Sequence, residues 1–277
     1  MEKCVAENRF ERLLLTGAAG GLGRVLRETL KPMTRVLRLS DVQSLGEAAE
    51  GEELQPCDLA DRQAVDELVR GCEAIVHMGG VSVERPFEEI LEANIKGIFH
   101  IYEAARRHGV RRVIFASSNH AVGFYRQSET IDASMPVRPD GYYGLSKMYG
   151  EGMASFYHDR YGIETLSIRI GSSFPEPRDR RMMHIWLSYR DLTELIRRGL
   201  FTPGIGHTIA FGMSDNKAPW WDNCLAAHLG YAPQDTSEVF RAQIDSLPMP
   251  AADDPTMVMQ GGVFTVQGPF DPLDVPS

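Results

Sequence analysis

The chain has 277 residues, of which 43% are hydrophobic and 24% charged, with 26 glycines and 16 prolines. That is the make-up of a folded globular protein with a core of its own, and it excludes disordered, collagen-like and coiled-coil chains. A formal net charge of −9 excludes the basic surface of a nucleic-acid binder, and the apolar runs fall far short of the roughly 20 residues of a membrane span.

Residues 1–10 (MEKCVAENRF) have no apolar stretch and are interrupted by charge, so they read as a short extension and not as a secretion signal. Cys4, Cys57, Cys72 and Cys224 show no metal-binding spacing; reduced thiols in a cytoplasm are their expected state, and no metal is expected. Residues 12–16 (RLLLT) form a buried strand that ends at a glycine-rich turn. A helix over 22–30 follows, then a strand over 35–39 with Asp41 just past its end. Asp61 is placed to cap a helix through about residue 69. A strand over 74–77 closes at Gly79 and Gly80. Residues 87–108 read as one long helix with Gly109 as its terminator. A strand over 112–116, a helix over 141–161 and a strand over 164–170 complete the alternation. Beyond Gly171 the pattern breaks into a prolyl loop, helical segments around 182–187 and 191–198, a possible strand over 208–211, and a tail from 230 to 277 expected to be partly extended. Alternation of this kind predicts an α/β fold, a parallel sheet with helices on both faces and ligands at the carboxyl ends of the strands.

The first turn, Thr16-Gly-Ala-Ala-Gly-Gly-Leu-Gly23, has glycines where a phosphate cradle needs them. Gly17 permits the tight turn, Gly20 lets backbone approach a pyrophosphate, and Gly23 lets the helix pack on the sheet. Gly21 and Leu22 open the helix, whose free N–H groups face the phosphate. Asp41 is placed to accept hydrogen bonds from the adenosine ribose and to repel a 2′-phosphate, which favours NAD over NADP. Arg38 is the one cation near enough to reach round.

Tyr143 and Lys147 are four residues apart on the expected helix 141–161 and share a face. A free phenol ionises near pH ~10. A cation ~5 Å away at an effective dielectric of ~20 lowers that by about two units, so the pair suits a general base. Ser118, with Ser117 as the competing choice, ends the strand before it and can hold the substrate oxygen. Tyr142 lacks such a partner, since Ser146 stands four residues on.

In this order, TGxxGxxG, a strand-end Asp, Ser118 and Tyr143/Lys147 resemble the short-chain dehydrogenase/reductase superfamily. Residues 93–97 (ANIKG) and 102–106 (YEAAR) resemble its extended, epimerase-like branch. Cys57-Asp-Leu59, Phe115-Ala-Ser-Ser-Asn-His120, Arg169-Ile-Gly-Ser172, Pro175-Glu-Pro177 and Trp220-Trp-Asp-Asn223 are similar to the uronate dehydrogenase family over nearly the whole chain. The resemblance implies a Rossmann-type doubly wound sheet. It divides the chain into an NAD-binding part, 10–171, and a small substrate-binding region with tail, 172–277, in one compact unit. It implies NAD-dependent oxidation of galacturonate and glucuronate at C1 to the aldarolactone.

By the same resemblance Lys147 also holds the nicotinamide ribose, Asp58 and Leu59 sit at the adenine, and Gly79, Gly80, Val81 and Ser173 line the cofactor. Ser82, Ser118, Asn119, His120, Tyr143 and Ser172 contact the sugar. The cluster Arg178-Asp-Arg-Arg181 offers the guanidinium for the substrate carboxylate. Arg181 matches by register, and Arg180 remains the alternative one residue away. Trp220 and Trp221 read as core. The helices over 87–108 and 141–161 imply a homo-oligomer by analogy. Two other readings compete: a sugar-nucleotide epimerase or dehydratase of the same branch, and a non-catalytic NAD-sensing protein on the same fold. The first needs more chain to enclose a nucleoside diphosphate; the second has no need to keep Ser118, Tyr143 and Lys147 together.

Overall fold

The computed structural model describes residues 9–251, 253–268 and 270. Cys4, most of the expected N-terminal extension and the tail from 271 onward lie outside the described residues.

Leu13, Leu14 and Leu15 are fully buried, yet Leu13 and Leu15 join one core and Leu14 the other. Alternate side chains of a strand face opposite sides, so a strand buried on both faces belongs in a sheet covered by helices on both sides. The sheet has seven parallel strands: β1 Phe10–Thr16, β2 Thr34–Ser40, β3 Glu52–Leu54, β4 Ala74–His77, β5 Arg112–Ser118, β6 Glu164–Ile170 and β7 His207–Gly212. Their spatial order is β3-β2-β1-β4-β5-β6-β7. Leu26 of α1 (Gly21–Thr29) and Leu192, Leu195 and Ile196 of α7 (Tyr189–Phe201) cover the Leu13 face. The Leu14 face is covered by α2 (Arg62–Val69), α4 (Gly97–His108) and α5 (Tyr142–Tyr161). This is the expected Rossmann-type doubly wound arrangement. The strand order reverses between β1 and β4, so the carboxyl ends of these two strands flank the crevice where such sheets take ligands. The C-terminal third contributes β7 to the same sheet, paired with β6. Among the described residues no helix is long and apolar enough to cross a membrane.

The structure departs from the sequence pattern in three places. Strand β3 is short and acidic, with no apolar alternation to announce it. The expected single helix over 87–108 is a continuous run of α3 (Phe87–Ile90), a π-helical stretch (Leu91–Lys96) and α4. Asn94 lies in that wider stretch and is held from outside: its side chain accepts from Val81 N (2.8 Å) and donates to Val81 O (3.0 Å) and Ser146 Oγ (2.9 Å). The described tail is only partly extended, as at Thr236, and otherwise folds into short turns of helix that the pattern does not announce: Ser237–Phe240, α8 (Arg241–Asp245), α9 (Pro255–Val258) and Gly262–Val266. Gln260 anchors it. This fully buried side chain donates to the carbonyls of Arg126 and Glu129 and accepts from the Trp221 indole at 2.9 Å. Contacts so distant in sequence leave no local periodicity.

Candidate active site

The crevice between β1 and β4 is shaped by backbone. Thr16 ties the two strand ends together: its hydroxyl accepts from Gly79 N at 3.1 Å and meets His77 Nδ1 at 2.8 Å. Gly17 turns with a φ of +69°, and a Cβ there would lie 2.7 Å from the backbone of Met78 and Gly79. A Cβ on Gly23 would collide with the Gly17 carbonyl, while one on Gly21 would meet nothing within 4 Å. Helix α1 begins after Gly20 with no side-chain cap, so its first amides are left to face an anion. Leu59 lies under Gly79 and Gly97, and Asp58 beside it is exposed. Gly80, at φ +119°, packs on the Asn94 amide. Asp41 holds the mouth of the crevice: one carboxylate oxygen accepts from Ala19 N and the other from Gln43 N, both at 3.0 Å. Arg38 points elsewhere, bonded to Glu53 and to the carbonyls of Leu68 and Arg70. A turn that has no room for a Cβ at Gly17 or Gly23, lined by free amides and one carboxylate, fits a dinucleotide with an unphosphorylated adenosine ribose.

Strand alternation separates the two serines at the end of β5. Ser117 donates to Glu151 at 2.6 Å, inside a buried ion pair of Glu151 with Arg169. Ser118 turns the other way, beside the Tyr143 phenol, and accepts from His120 N. Tyr143 and Lys147 come from α5. Glu84 caps that helix from a distant loop, accepting from Tyr142 N at 2.7 Å and Tyr143 N at 2.8 Å. Lys147 donates to the Ala116 carbonyl at 2.8 Å, and its ammonium stands 5.3 Å from the centre of the Tyr143 ring. The expected lowering of the Tyr143 pKa is reversed in the protein itself. Burial pushes the phenol up to about 12, Ser118 works against this, and the nearby Asp140 adds to it. The same burial brings Lys147 down to about 8. Desolvation outweighs the cation because both groups lie in the interior.

Of the other expected residues, His120 lies against this pair, its ring centroid 5.8 Å from that of Tyr143. Asn119 and His120 are buried, and the Asn119 Nδ2 has no hydrogen-bond partner among the described residues. Ser172 is buried and pairs through its backbone with Ile185 and Leu187; Ser173 donates to Leu187 O. Ser82 lies exposed on the loop after Gly80. Of the arginines, Arg178 is exposed and lies over Phe174. Arg180 is engaged by the Asp245 carboxylate at 3.0 Å and by the carbonyls of Asp245 and Leu247. Arg181 precedes α6 (Met182–Ile185) and donates through one nitrogen to Gln260 O at 2.8 Å. It feels the charges of Asp179 and Asp140. Trp220 and Trp221 are core residues.

The sequence reading misses four residues here. Glu84, Asn94 and Asp140 are isolated polar residues whose partners are far along the chain. Phe264, in the tail, stacks on the His120 ring with centroids 3.8 Å apart and lies 6.3 Å from Tyr143. The run Gln260-Gly-Gly262, an amide before a glycine pair, is the sequence signal that could have flagged this part of the tail.

Comparison with known proteins places this geometry. A model of the NAD dependent epimerase/dehydratase family matches residues 13–190. Over 94% of its length the chain is 69% identical to a uronate dehydrogenase of Pseudomonas syringae pv. tomato, 95% of which is covered. Its structure is similar to that of glucuronic acid dehydrogenase from Chromohalobacter salexigens, with a TM-score of 0.92 and 50% identity over 94% of this chain and 98% of that one. It is equally similar to a mutant of Agrobacterium tumefaciens uronate dehydrogenase complexed with NAD, with a TM-score of 0.92 and 48% identity over 94% and 99% of the two chains.

Proposed function

This chain belongs to the NAD-dependent epimerase/dehydratase family and, within it, to the uronate dehydrogenases; from that footing we propose that it oxidises galacturonate and glucuronate at C1 to the aldarolactone, with Tyr143 as general base. NAD, when bound, supplies the hydride acceptor and a positively charged ring. Gly17, Gly20, Gly21, Leu22, Gly23, Gly79, Gly80 and Ser173 would line it, Asp41 would hold the adenosine ribose, and Asp58 and Leu59 would meet the adenine. Tyr143 takes the O1 proton while Ser118 holds O1 in place. Lys147, pinned to Ala116, holds the nicotinamide ribose and favours the phenolate. The cyclic uronate is a hemiacetal, so losing the O1 proton and the C1 hydride makes a lactone directly. No water has to enter, and Phe264 covers one face of the His120 ring.

Arg181 receives the C6 carboxylate: it keeps donors beyond the one given to Gln260, whereas Arg180 is engaged by Asp245. A planar guanidinium takes a carboxylate bidentately. Ser82, Asn119, His120 and Ser172 hold the sugar hydroxyls. The region 172–277 thus supplies the carboxylate anchor and the cover, and 10–171 the cofactor cradle and the base. We place the enzyme in a reducing cytoplasm, in keeping with free Cys57, Cys72 and Cys224. Apolar side chains exposed on α4 and α5, Phe99 and Phe156, would give a homo-oligomer its contact surface.

The observation that carries this reading is the convergence of Ser118, Tyr143 and Lys147 at the carboxyl edge of the sheet. Its test is absorbance at the NADH band with uronates, neutral hexoses and sugar nucleotides. Net NADH from galacturonate and glucuronate is expected. Sugar-nucleotide turnover without net NADH would overturn it in favour of an epimerase.

A further inference from the structure

Resting on that reading, we infer that Asp140 is the positioning residue of the substrate pocket: it sets the tautomer and plane of His120, so that Nε2 of the ring accepts a hydrogen bond from a uronate hydroxyl. The backbone brings the two together, because the chain leaves β5, makes an excursion and returns with Asp140 N donating to His120 O at 3.2 Å. The side chains then meet, His120 Nδ1 to Asp140 Oδ2, at 2.7 Å. A carboxylate only accepts, so Nδ1 carries the proton, and in the neutral ring Nε2 keeps a lone pair. Nε2 makes no hydrogen bond to the protein among the described residues.

The seat of Asp140 is built from three separate segments. A Cβ on Gly123 or on Gly261 would collide with Oδ2, and one on Gly144 would lie 3.2 Å from Oδ1. Gly123 follows the His120 turn, Gly144 lies in α5 next to Tyr143, and Gly261 belongs to the tail; Gly261 N donates to Gly123 O at 2.9 Å. Room of this kind in three places accommodates a side chain whose other oxygen, Oδ1, is buried with no partner among the described residues. The ring it holds is closed in by Phe264 on one face, 3.8 Å away, and by the edge-on Tyr143 at 5.8 Å. Its lone pair therefore points in a direction that Asp140 chooses, next to the base.

The test uses the full-length enzyme with NAD. Ring 15N shifts of the wild-type protein are expected to show His120 protonated at Nδ1, and an Nε2-protonated ring overturns the inference without any variant. Asp140→Asn is expected to shift the ring toward a mixed tautomer and to raise the uronate KM by about 3- to 10-fold, the worth of one hydrogen bond, with the NAD KM changed less than about twofold. His120→Gln should raise the uronate KM by as much or more, and Asp140→Asn combined with His120→Gln should be no worse than His120→Gln alone. Additive effects, or a matching rise in the NAD KM, overturn the inference, since a merely structural Asp140 would act independently of the ring. Normal uronate turnover with additive variants defeats this inference and spares the reading on which it rests. Uronate turnover absent from the wild type defeats both.

Discussion

Tyr143 and Lys147 are opposite cases of the same burial. The phenol is held up from 10.0 to about 12 and the ammonium down from 10.5 to about 8. Between pH 8 and 10.5 the unfolded chain keeps the Lys147 proton and the folded one has lost it, so this group makes stability rise with pH there. Tyr143 does the reverse between 10 and 12, where the folded state keeps a proton that the unfolded chain gives up. Melting curves should therefore show Lys147→Met losing the rise above pH 8; an unchanged profile would mean the lysine is solvated. In catalysis, Tyr143→Phe should cost at least ~10²-fold in kcat with the fold intact. Near-normal turnover would remove Tyr143 from the mechanism. Asp41 is anchored on both oxygens, and Arg38 is turned to Glu53. Asp41→Ala should thus narrow the preference for NAD over NADP, and Arg38→Ala should leave the ratio of kcat/KM values unchanged.

At the scale of elements, the site depends on how α5 and the tail are held. Glu84 satisfies two amides that the helix cannot satisfy itself and aims its first turn, and so Tyr143, at Ser118. The tail reaches three groups of the pocket at once: Phe264 lies on His120 and near Tyr143, and Gln260 offers its carbonyl to Arg181. Arg181→Ala should lower kcat/KM for galacturonate and glucuronate by roughly 30- to 4,000-fold, the range for breaking a desolvated charge pair. The weak activity on galactose or glucose should change little. Arg180→Ala should instead act alike on charged and neutral sugars, because it loosens α8 through Asp245. A selective loss in Arg180→Ala alone would move the carboxylate anchor by one residue. Phe264→Ala should raise the uronate KM and leave the NAD KM unchanged, as read by steady-state kinetics; equal effects would make Phe264 a packing residue.

On the scale of the whole molecule, the sheet sets the division of labour. Its strand order reverses between β1 and β4, which opens the crevice, and β5 and β6 lie next to it on the side of Tyr143. Residues from Gly17 to Gln260 meet at that one carboxyl edge because parallel strands deliver all their following loops to the same side. A cleft of about 370 Å³ between Phe174, Pro175 and the 234–240 segment lies beside the prolyl loop and is lined by none of Ser118, Tyr143 and Lys147.

The fold was legible in the sequence because it rests on local signals: buried apolar runs, glycine turns and helix caps recur strand after strand, and each is a matter of a few neighbouring residues. The glycine turn after β1 was legible for the same reason, since Gly17, Gly20 and Gly23 lie within one turn. Tyr143 and Lys147 could be paired by helical spacing alone. Only the tertiary structure could separate Ser118 from Ser117, because that rests on which face of β5 meets Glu151. Only it could turn Arg38 away, engage Arg180 with Asp245 and leave Arg181 with donors to offer. The Tyr143 pKa went against the sequence argument because distance to a cation can be read from spacing and burial cannot. Glu84, Asp140, Gln260 and Phe264 each act through a partner between 20 and 144 residues away. A single polar or aromatic side chain carries no sign of such a partner until the chain has folded around it.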